Sequence, residues 1–308
     1  MPAQRRIDGL LLLDKPSGPT SNHSLQRVKR LFGAGKAGHA GTLDPMASGL
    51  LPILLGEATK FAAYTADASK VYEATVLLGV RTDTGDVTGE VLERRSVECC
   101  ERDIDCVLER FRGTILQTPP MHSALKQAGQ PLYRLARRGQ TVHREPRRIR
   151  IDELSLRRLR SDELDLRVVC SKGTYIRVLA EDIGTALGCG GTLSRLRRTR
   201  VGAFDIGHAV ELHRLELMSP GERTDRLLPV DVAVENIPQL TLSEIEAVRI
   251  GHGQPIELHD ASIAKGSLRL YAHASGRFLG LGEAQNGIVR PLRLVAQPEL
   301  GTVHPDDT

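Results

Sequence analysis

The stretch HAGTLDPMASGLLP, residues 39–52, is the part of the sequence from which the fold and the chemistry can be worked out. Its glycines allow the backbone to approach a ligand closely, and Pro45 restricts the backbone directly after Asp44. Asp44 has Leu43 and Pro45 as neighbours, and a carboxylate in such an apolar setting needs a partner. An Asx turn or a helix N-cap would also account for a lone Asp, so the question is whether the chain supplies a cation.

The segment SKGTYIR, which ends at Arg177, supplies such a cation. If the segment is a strand, Tyr175 and Arg177 project from the same face, because side chains alternate along a strand. An arginine among apolar residues needs an acid, and we expect that acid to be Asp44, which would then be held ionised and oriented. The alternative is that Arg177 pairs with Glu181 or Asp182 in the helix that follows.

Alternation and helical spacing predict a mixed α/β chain around these motifs. GLLLLDK near the N-terminus is typical of a buried strand, and a helix capped by Thr20 or Ser21 follows it and ends at Gly33. KVYEATVLLGV and LDLRVVC predict two further strands, and residues 102–113 predict a short amphipathic helix. This order of elements indicates one large α/β (α+β) domain, which we expect to span residues 1–238.

Two segments differ from this large domain. Residues 119–148 are polar, basic and interrupted by Pro and Gly, and only Leu132, Leu135 and Ala136 could form one side of a short helix. We expect this segment, called the arm below, to project from the body and to be mobile without its partner. In residues 239–308 the strand candidates LRLYAHA, RFLGLGEAQ and IVRPLRLV predict a small β-rich module with a short tail.

The charge distribution indicates an anionic polymer as the partner. Residues 1–204 carry 33 Lys and Arg against 23 Asp and Glu, whereas residues 205–308 carry 9 against 15. Basic side chains gather in residues 112–150 and again in residues 195–200, as they do on surfaces that contact a phosphate backbone. The alternative is a solvated arginine-rich face.

Composition excludes several classes of protein. With 308 residues, of which 40% are hydrophobic and 26% charged, the chain is neither disordered nor collagen-like, and it has no apolar stretch long enough for a transmembrane helix. Five cysteines without a CxxC pair predict no disulfide framework, no zinc site and a reducing cytoplasm. GAGKAG at residues 33–38 fits a dinucleotide motif, but a predicted helix rather than a strand precedes it, so we expect no such cofactor.

Six blocks, in order, resemble the TruB family of bacterial tRNA pseudouridine-55 synthases. Together they span roughly residues 10–205, which makes the resemblance specific to this family. The blocks are DKPSGPTS (14–21), HAGTLDPMASGLLP (39–52), KVYEATVLLGVRTDTGD (70–86), PPMHSALKQAGQPLY (119–133), CSKGTYIR (170–177) and LRRTRVG (196–202).

The resemblance implies a pseudouridine synthase fold, with a mixed β-sheet core flanked by helices and a small C-terminal PUA-like module. The implied reaction isomerises uridine 55 in the TΨC loop of tRNA, without a metal or an organic cofactor. The N1–C1′ bond breaks, the uracil turns, and C5 bonds to C1′. Three roles are open to Asp44 there: attack on C1′, attack on C6, or removal of the C2′ proton.

The resemblance also implies roles for individual residues. Asp44 matches the catalytic aspartate, Arg177 the arginine that pairs with it, and Tyr72 the ring that packs on the target base and is implicated in removing the C5 proton. Tyr175 matches a residue of the same pocket, and His39 the histidine that replaces the flipped nucleotide in the T-loop stack. These roles suit a target base that is stacked in a folded loop, because such a base must leave the stack before an enzyme can react with it.

Further matches concern support and RNA binding. Lys15 and Pro16 match a motif that supports the catalytic loop, and Leu196 matches a pocket residue. The arm corresponds to an insertion that closes over RNA, and its expected RNA-binding side chains are Arg137, Arg138, Arg147 and Arg148. The chain departs from the family pattern in two respects: Ser48 stands where Thr is common, and the C-terminal module is acidic and has few recognisable landmarks.

The expected partner is the T stem-loop of tRNA, with no membrane and no obligatory protein partner, and we expect a cytoplasmic monomer that can also assist tRNA folding. Two alternatives remain open. One is a tRNA-binding or tRNA-folding protein without catalysis, which would not require Asp44. The other is a guide-RNA-dependent pseudouridylase, which would need partner proteins and a fuller C-terminal module.

Overall fold

A computed structural model describes residues 7–123, 125–127, 129–258 and 265–296. The two ends of the predicted domains, residues 1–6 and 297–308, lie outside the described residues. The strands are, in chain order, β1 (Gly9–Lys15), β2 (Ala37–His39), β3 (Ser48–Leu55), β4 (Lys70–Leu78), β5 (Val80–Thr82), β6 (Val91–Arg94), β7 (Gly113–Gln117), β8 (Lys126–Gln127), β9 (Gln130–Pro131), β10 (Arg147–Arg160), β11 (Glu163–Cys170), β12 (Gly191–Val201), β13 (Phe204–Asp205), β14 (Val210–Glu211), β15 (Gln239–Leu242), β16 (Ile256–Glu257), β17 (Lys265–Ala272), β18 (Phe278–Gln285) and β19 (Ile288–Leu294). The α-helices are α1 (Ser21–Phe32), α2 (Ala62–Asp67), α3 (Glu101–Glu109), α4 (Leu132–Ala136), α5 (Ile176–Ala186), α6 (Leu212–Leu217), α7 (Pro220–Thr224) and α8 (Glu244–Gly251).

The main sheet has the strand order β14-β1-β3-β12-β4-β11-β10-β7, with β13 paired to β12 and β2 paired to β3. The pairs β1–β14 and β3–β12 are parallel and the others are antiparallel, which confirms the predicted mixed α/β fold. Tyr72 lies near the middle of this sheet, because β4 pairs it with Val168 on one side and with Arg198 on the other.

Helix α1 follows its sequence signals closely. The Thr20 hydroxyl accepts a hydrogen bond from the His23 amide at 3.1 Å, and Gly33 ends the helix with a left-handed φ of 61°. Helix α3 ends at Glu109, four residues before the predicted end of that helix. Residues 113–117 are instead taken up as β7, which pairs with β10 at the edge of the sheet.

The prediction of a strand through Tyr175 and Arg177 is wrong. Strand β11 ends at Cys170, the chain turns at Gly173 with a φ of 79°, and Arg177 lies in the first turn of α5. The buried Gln117 side chain takes the place of a strand partner: its Oε1 accepts from the Tyr175 amide at 2.8 Å, and its Nε2 donates to the Tyr175 carbonyl at 3.1 Å. A residue 58 positions away thus decides this local structure.

The arm contains the predicted short helix, α4, and the small hairpin β8–β9. Leu132 is its buried apolar anchor, and the Leu132 and Tyr133 amides donate to the carbonyls of Leu125 and Ser123. At the predicted end of the arm, Arg147 and Arg148 already belong to β10 and pair with β7.

The C-terminal strands expected around residues 268–295 are confirmed as β17, β18 and β19. They form a five-stranded sheet in the order β15-β17-β18-β19-β16, with Ile250 of α8 in its core. Phe278 of this sheet packs on Phe61, with ring centroids 5.6 Å apart, so an apolar contact joins the module to the main body. None of the helices in the described ranges has the length and apolar character that a membrane crossing requires.

Candidate active site

A cavity of about 320 Å³ lies between the loop after β2, the turn before α5 and the base of the arm. Five of the site residues expected from the sequence line it together, although they come from four separate parts of the chain: Asp44, Tyr72, Tyr175, Arg177 and Leu196.

Asp44 and Arg177 form the expected ion pair across this cavity. Arg177 Nε donates to Asp44 Oδ2 at 2.8 Å, and Arg177 Nη2 donates to Asp44 Oδ1 at 3.3 Å. The arginine side chain is 4% exposed and the aspartate side chain 33%, so the cation is buried and the carboxylate faces the cavity. A two-point contact of this kind fixes the orientation of a carboxylate as well as its charge. The alternative partners Glu181 and Asp182 do not make this contact.

Two other segments, the turn after β5 and the base of the arm, hold the Arg177 guanidinium in place. Nη1 donates to the Thr84 carbonyl and Nη2 to the His122 carbonyl, both at 2.7 Å. Asp86 lies 3.8 Å from Nε, and its own Oδ1 accepts from Thr84 and Thr88. Arg177 is thereby prevented from following Asp44 if the loop shifts, so the carboxylate is held against a rigid support.

Lys15 holds the loop that carries Asp44 in place through hydrogen bonds to backbone carbonyls. Its fully buried ammonium donates to the carbonyls of Pro16 and Pro19 at 2.8 and 2.7 Å, and to the carbonyl of Pro45 at 3.5 Å. Burial lowers the pKa of Lys15 to about 8, although the nearby Asp44 charge opposes this shift. Pro16 itself is exposed and does not line the cavity.

The lowered pKa of Lys15 predicts a pH dependence of stability. In the unfolded chain Lys15 returns to the ordinary value of 10.5, so between pH 8 and pH 10.5 the unfolded state binds more protons, and the contribution of Lys15 to stability rises with pH. The free energy of unfolding of the wild type minus that of Lys15→Met should increase, on the order of 1 kcal/mol, between pH 8 and pH 10. Urea unfolding at the two pH values measures it, and an unchanged difference would contradict the shift.

Arg198 is a second buried cation that holds the loop of Asp44 in place, and this role could not be predicted from the sequence. This arginine is 1% exposed; its Nε donates to the Leu50 carbonyl at 2.8 Å and its Nη2 to the Gly41 carbonyl at 2.9 Å. Gly41 and Leu50 lie on either side of Asp44 in the chain. Position 41 requires glycine, because its φ is 86° and a Cβ atom there would lie 3.2 Å from the Arg198 guanidinium. The double-arginine block at residues 197–198 was the available signal.

Both tyrosines of the cavity remain protonated at neutral pH. Burial raises the pKa of Tyr72, against an opposing effect of the Arg198 charge, and burial also raises the pKa of Tyr175. In the resting protein each therefore offers an apolar ring and a neutral hydroxyl. Lys70, also buried beside the cavity, donates to the carbonyls of Ala66 and Ala68, and burial lowers its pKa to about 8.

The remaining expected site residues lie outside the cavity. His39 is on β2, and burial followed by the Arg198 charge lowers its pKa, so its ring is neutral at neutral pH. The four arm arginines expected to bind RNA are exposed, and in the described ranges none of them forms an ion pair. Arg137 instead lies over the Tyr133 ring, 5.7 Å from its centroid.

A larger cavity, of about 660 Å³, lies on the other side of the central strands. Its polar lining comes from alternate positions of β4 and β11, such as Glu73 and Asp165, which point away from Tyr72. There Asp165 is engaged by Thr75 and Arg160, as expected for cross-strand contacts on a solvated sheet face. The smaller cavity is the candidate site because the Asp44 carboxylate is held in a fixed orientation and is accessible from the cavity. Within the described ranges no group of three or more metal-type ligands comes together.

Comparisons with known proteins show which family the chain is similar to. Three family models match consecutive parts of the chain: TruB family pseudouridylate synthase, N-terminal domain (29–176), tRNA pseudouridylate synthase B C-terminal domain (177–235), and pseudouridine synthase II TruB, C-terminal (238–295). The chain is 52% identical to tRNA pseudouridine synthase B of Azoarcus sp. (strain BH72), over 95% of this chain and 96% of the relative. The protein of the same name from Burkholderia mallei (strain NCTC 10247) is 50% identical, over 95% and 98%.

Solved structures show the same architecture. A chain from the crystal structure of a Cbf5-Nop10-Gar1 complex matches with a TM-score of 0.69 and 26% identity, over 94% of this chain and 84% of the other. A chain from an H/ACA RNP bound to a substrate RNA containing 2'-deoxyuridine matches with the same TM-score and 25% identity, over 94% and 85%.

Proposed function

This chain belongs to the TruB family of pseudouridylate synthases, and on that premise we propose that it converts uridine 55 in the TΨC loop of tRNA to pseudouridine. The observation that carries the proposal is the Asp44 carboxylate, held at two points by a buried arginine and turned into a cavity lined by two neutral tyrosines. The relatives named tRNA pseudouridine synthase B support tRNA as the substrate.

The proposed reaction begins with extraction of the target base. Unstacking a base costs roughly a few kcal/mol, and the neutral, flat ring of His39 is suited to offset part of that cost by stacking in its place. Within the cavity Asp44 drives cleavage of the N1–C1′ bond. The uracil then turns, C5 bonds to C1′, the C5 proton leaves, and N1 gains a proton.

Neighbouring residues have positioning roles in this proposal. The rings of Tyr72 and Tyr175 and the side chain of Leu196 enclose the detached uracil, so that it can turn without escaping. The hydroxyl of Tyr72, which lines the same cavity, would take part in moving the C5 proton. Lys15 and Pro16 keep the loop of Asp44 in place through the corner between β1 and α1.

We further propose a two-part organisation: residues 1–238 form the catalytic domain, with the arm at about 119–148, and residues 239–308 form the PUA-like module. The chain would act as a cytoplasmic monomer without an obligatory protein partner, unlike the Cbf5 chains, whose structures are complexes. The apolar contact between Phe61 and Phe278 favours a role of the module in stability.

Neutralising the arm should weaken RNA binding and flatten its salt dependence. Changing Arg137, Arg138, Arg147 and Arg148 to Gln removes four exposed cations, and each lost phosphate contact lowers the slope of log K against log salt by about 0.7–0.9, hence by about 3 in all. Filter binding of tRNA at several salt concentrations measures it. The control is Arg102→Gln with Arg110→Gln, two exposed arginines of which the first lies on α3 and the second directly follows it. An unchanged slope would show that the arm does not contact phosphate.

The purified chain alone tests the proposed function. Incubation with an unmodified tRNA transcript should produce pseudouridine at position 55, detected by chemical mapping, without guide RNA or other proteins. Activity that appears only after a guide RNA and partner proteins are added would favour the guide-dependent alternative.

A further inference from the structure

We infer that Ser123, at the base of the arm, contacts the flipped-out uracil through its side-chain hydroxyl. The inference rests on the proposed function and adds a substrate-contacting residue to it. Ser123 is 5% exposed and lines the cavity of Asp44. Within the described ranges its Oγ has no hydrogen-bond partner.

A buried hydroxyl without a partner is costly, so its presence calls for a reason. One candidate partner is Tyr175, because an interaction with the Ser123 side chain lowers the Tyr175 pKa against the larger effect of burial. The two hydroxyls nevertheless do not meet with hydrogen-bond geometry. The hydroxyl is therefore close to the tyrosine and still free to bind a ligand.

Two backbone hydrogen bonds hold Ser123 in position, as suits a recognition group. Its amide donates to the Met121 carbonyl at 2.9 Å, and its carbonyl accepts from the Tyr133 amide of α4 at 3.1 Å. The preceding residue, His122, accepts from Arg177 at 2.7 Å. The same guanidinium thus positions both Asp44 and the residue next to Ser123.

Several other polar side chains around the cavity are already engaged. Arg177 donates to Asp44 and to two carbonyls, Arg198 donates to two carbonyls, and so does Lys70. Thr174 donates to the Ser171 carbonyl. Ser123 is left as a buried polar group that can meet the polar edge of a base.

A hydroxyl also suits a base that turns during the reaction. Rotation of uracil about the axis through N3 and C6 exchanges N1 with C5 and O2 with O4, and leaves N3–H in place. A hydroxyl both donates and accepts, so Ser123 can bond the N3–H or a carbonyl oxygen before and after the turn.

The first test compares Ser123→Ala with Ser24→Ala. Ser24 lies on α1 and carries a similarly buried hydroxyl without a partner in the described ranges, but it does not line the cavity, which makes it a matched control. We expect Ser123→Ala to lower kcat/KM for a T stem-loop RNA about tenfold and to leave the melting temperature unchanged or raised. Ser24→Ala should keep wild-type kcat/KM.

The second test separates contact with the base from contact with the RNA backbone. In an Asp44→Asn background, affinities are measured for stem-loops with uridine or an abasic residue at the target position. The preference for uridine should fall about threefold to tenfold when Ser123→Ala is added. An equal loss of affinity for both RNAs, or kcat/KM at the wild-type level in Ser123→Ala, would overturn the inference. Failure of the wild type to make pseudouridine would instead refute the proposed function.

Discussion

Asparagine in place of Asp44 is expected to abolish pseudouridine formation while leaving tRNA bound. The substitution keeps the shape of the side chain and removes its charge, and Asp86, 3.8 Å from Arg177 Nε, remains to balance the buried arginine. Turnover should fall below about a thousandth of the wild-type rate, because no other carboxylate lines the described part of the cavity. Affinity for tRNA should stay within about tenfold, or 1.4 kcal/mol.

Single-turnover assays and filter binding measure these two quantities on the same preparations. Asp83→Asn is a matched control, since this aspartate lies in the turn after β5, outside the cavity. More than about a tenth of wild-type activity in Asp44→Asn would overturn the assignment of Asp44.

Lysine in place of Arg177 is expected to lower kcat about 100-fold to 1000-fold. A lysine keeps the charge but cannot hold both oxygens of Asp44 and also reach the carbonyls of Thr84 and His122. The carboxylate then loses its fixed orientation, and catalysis is sensitive to small displacements of a reacting group.

The matched control is Arg195→Lys, an exposed arginine on β12. Steady-state kinetics should show a loss mainly in kcat for Arg177→Lys, with KM changed less, and wild-type values for Arg195→Lys. A kcat of Arg177→Lys within threefold of the wild type would show that two-point binding of Asp44 is unimportant.

The sequence was sufficient to predict the parts of the structure that depend on neighbouring residues or on charge balance. Helix α1 has its Thr20 cap and its Gly33 terminator because those signals are local. The Asp44–Arg177 pair could be expected because a carboxylate and a guanidinium in apolar settings each need a partner, although Glu181 and Asp182 were also candidates for Arg177.

The sequence did not reveal contacts that join distant segments through the backbone. Gln117 directs Tyr175 into a helix cap, and Arg198 fastens the loop by bonding to carbonyls of Gly41 and Leu50, which carry no residue-specific signal. Ser123 lies within a recognisable block, yet only the folded structure shows that its hydroxyl has no hydrogen-bond partner among the described residues. The role of a side chain that binds backbone carbonyls can therefore be recognised only in the folded structure.

Release of tritium from tRNA that is labelled with [5-³H]uridine and unmodified at position 55 measures directly whether this chain forms pseudouridine. We expect stoichiometric release by the purified wild type, with pseudouridine mapped to position 55, and no release by Asp44→Asn. No release by the wild type despite tight tRNA binding would refute the proposed activity and would leave a protein that binds or folds tRNA without modifying it.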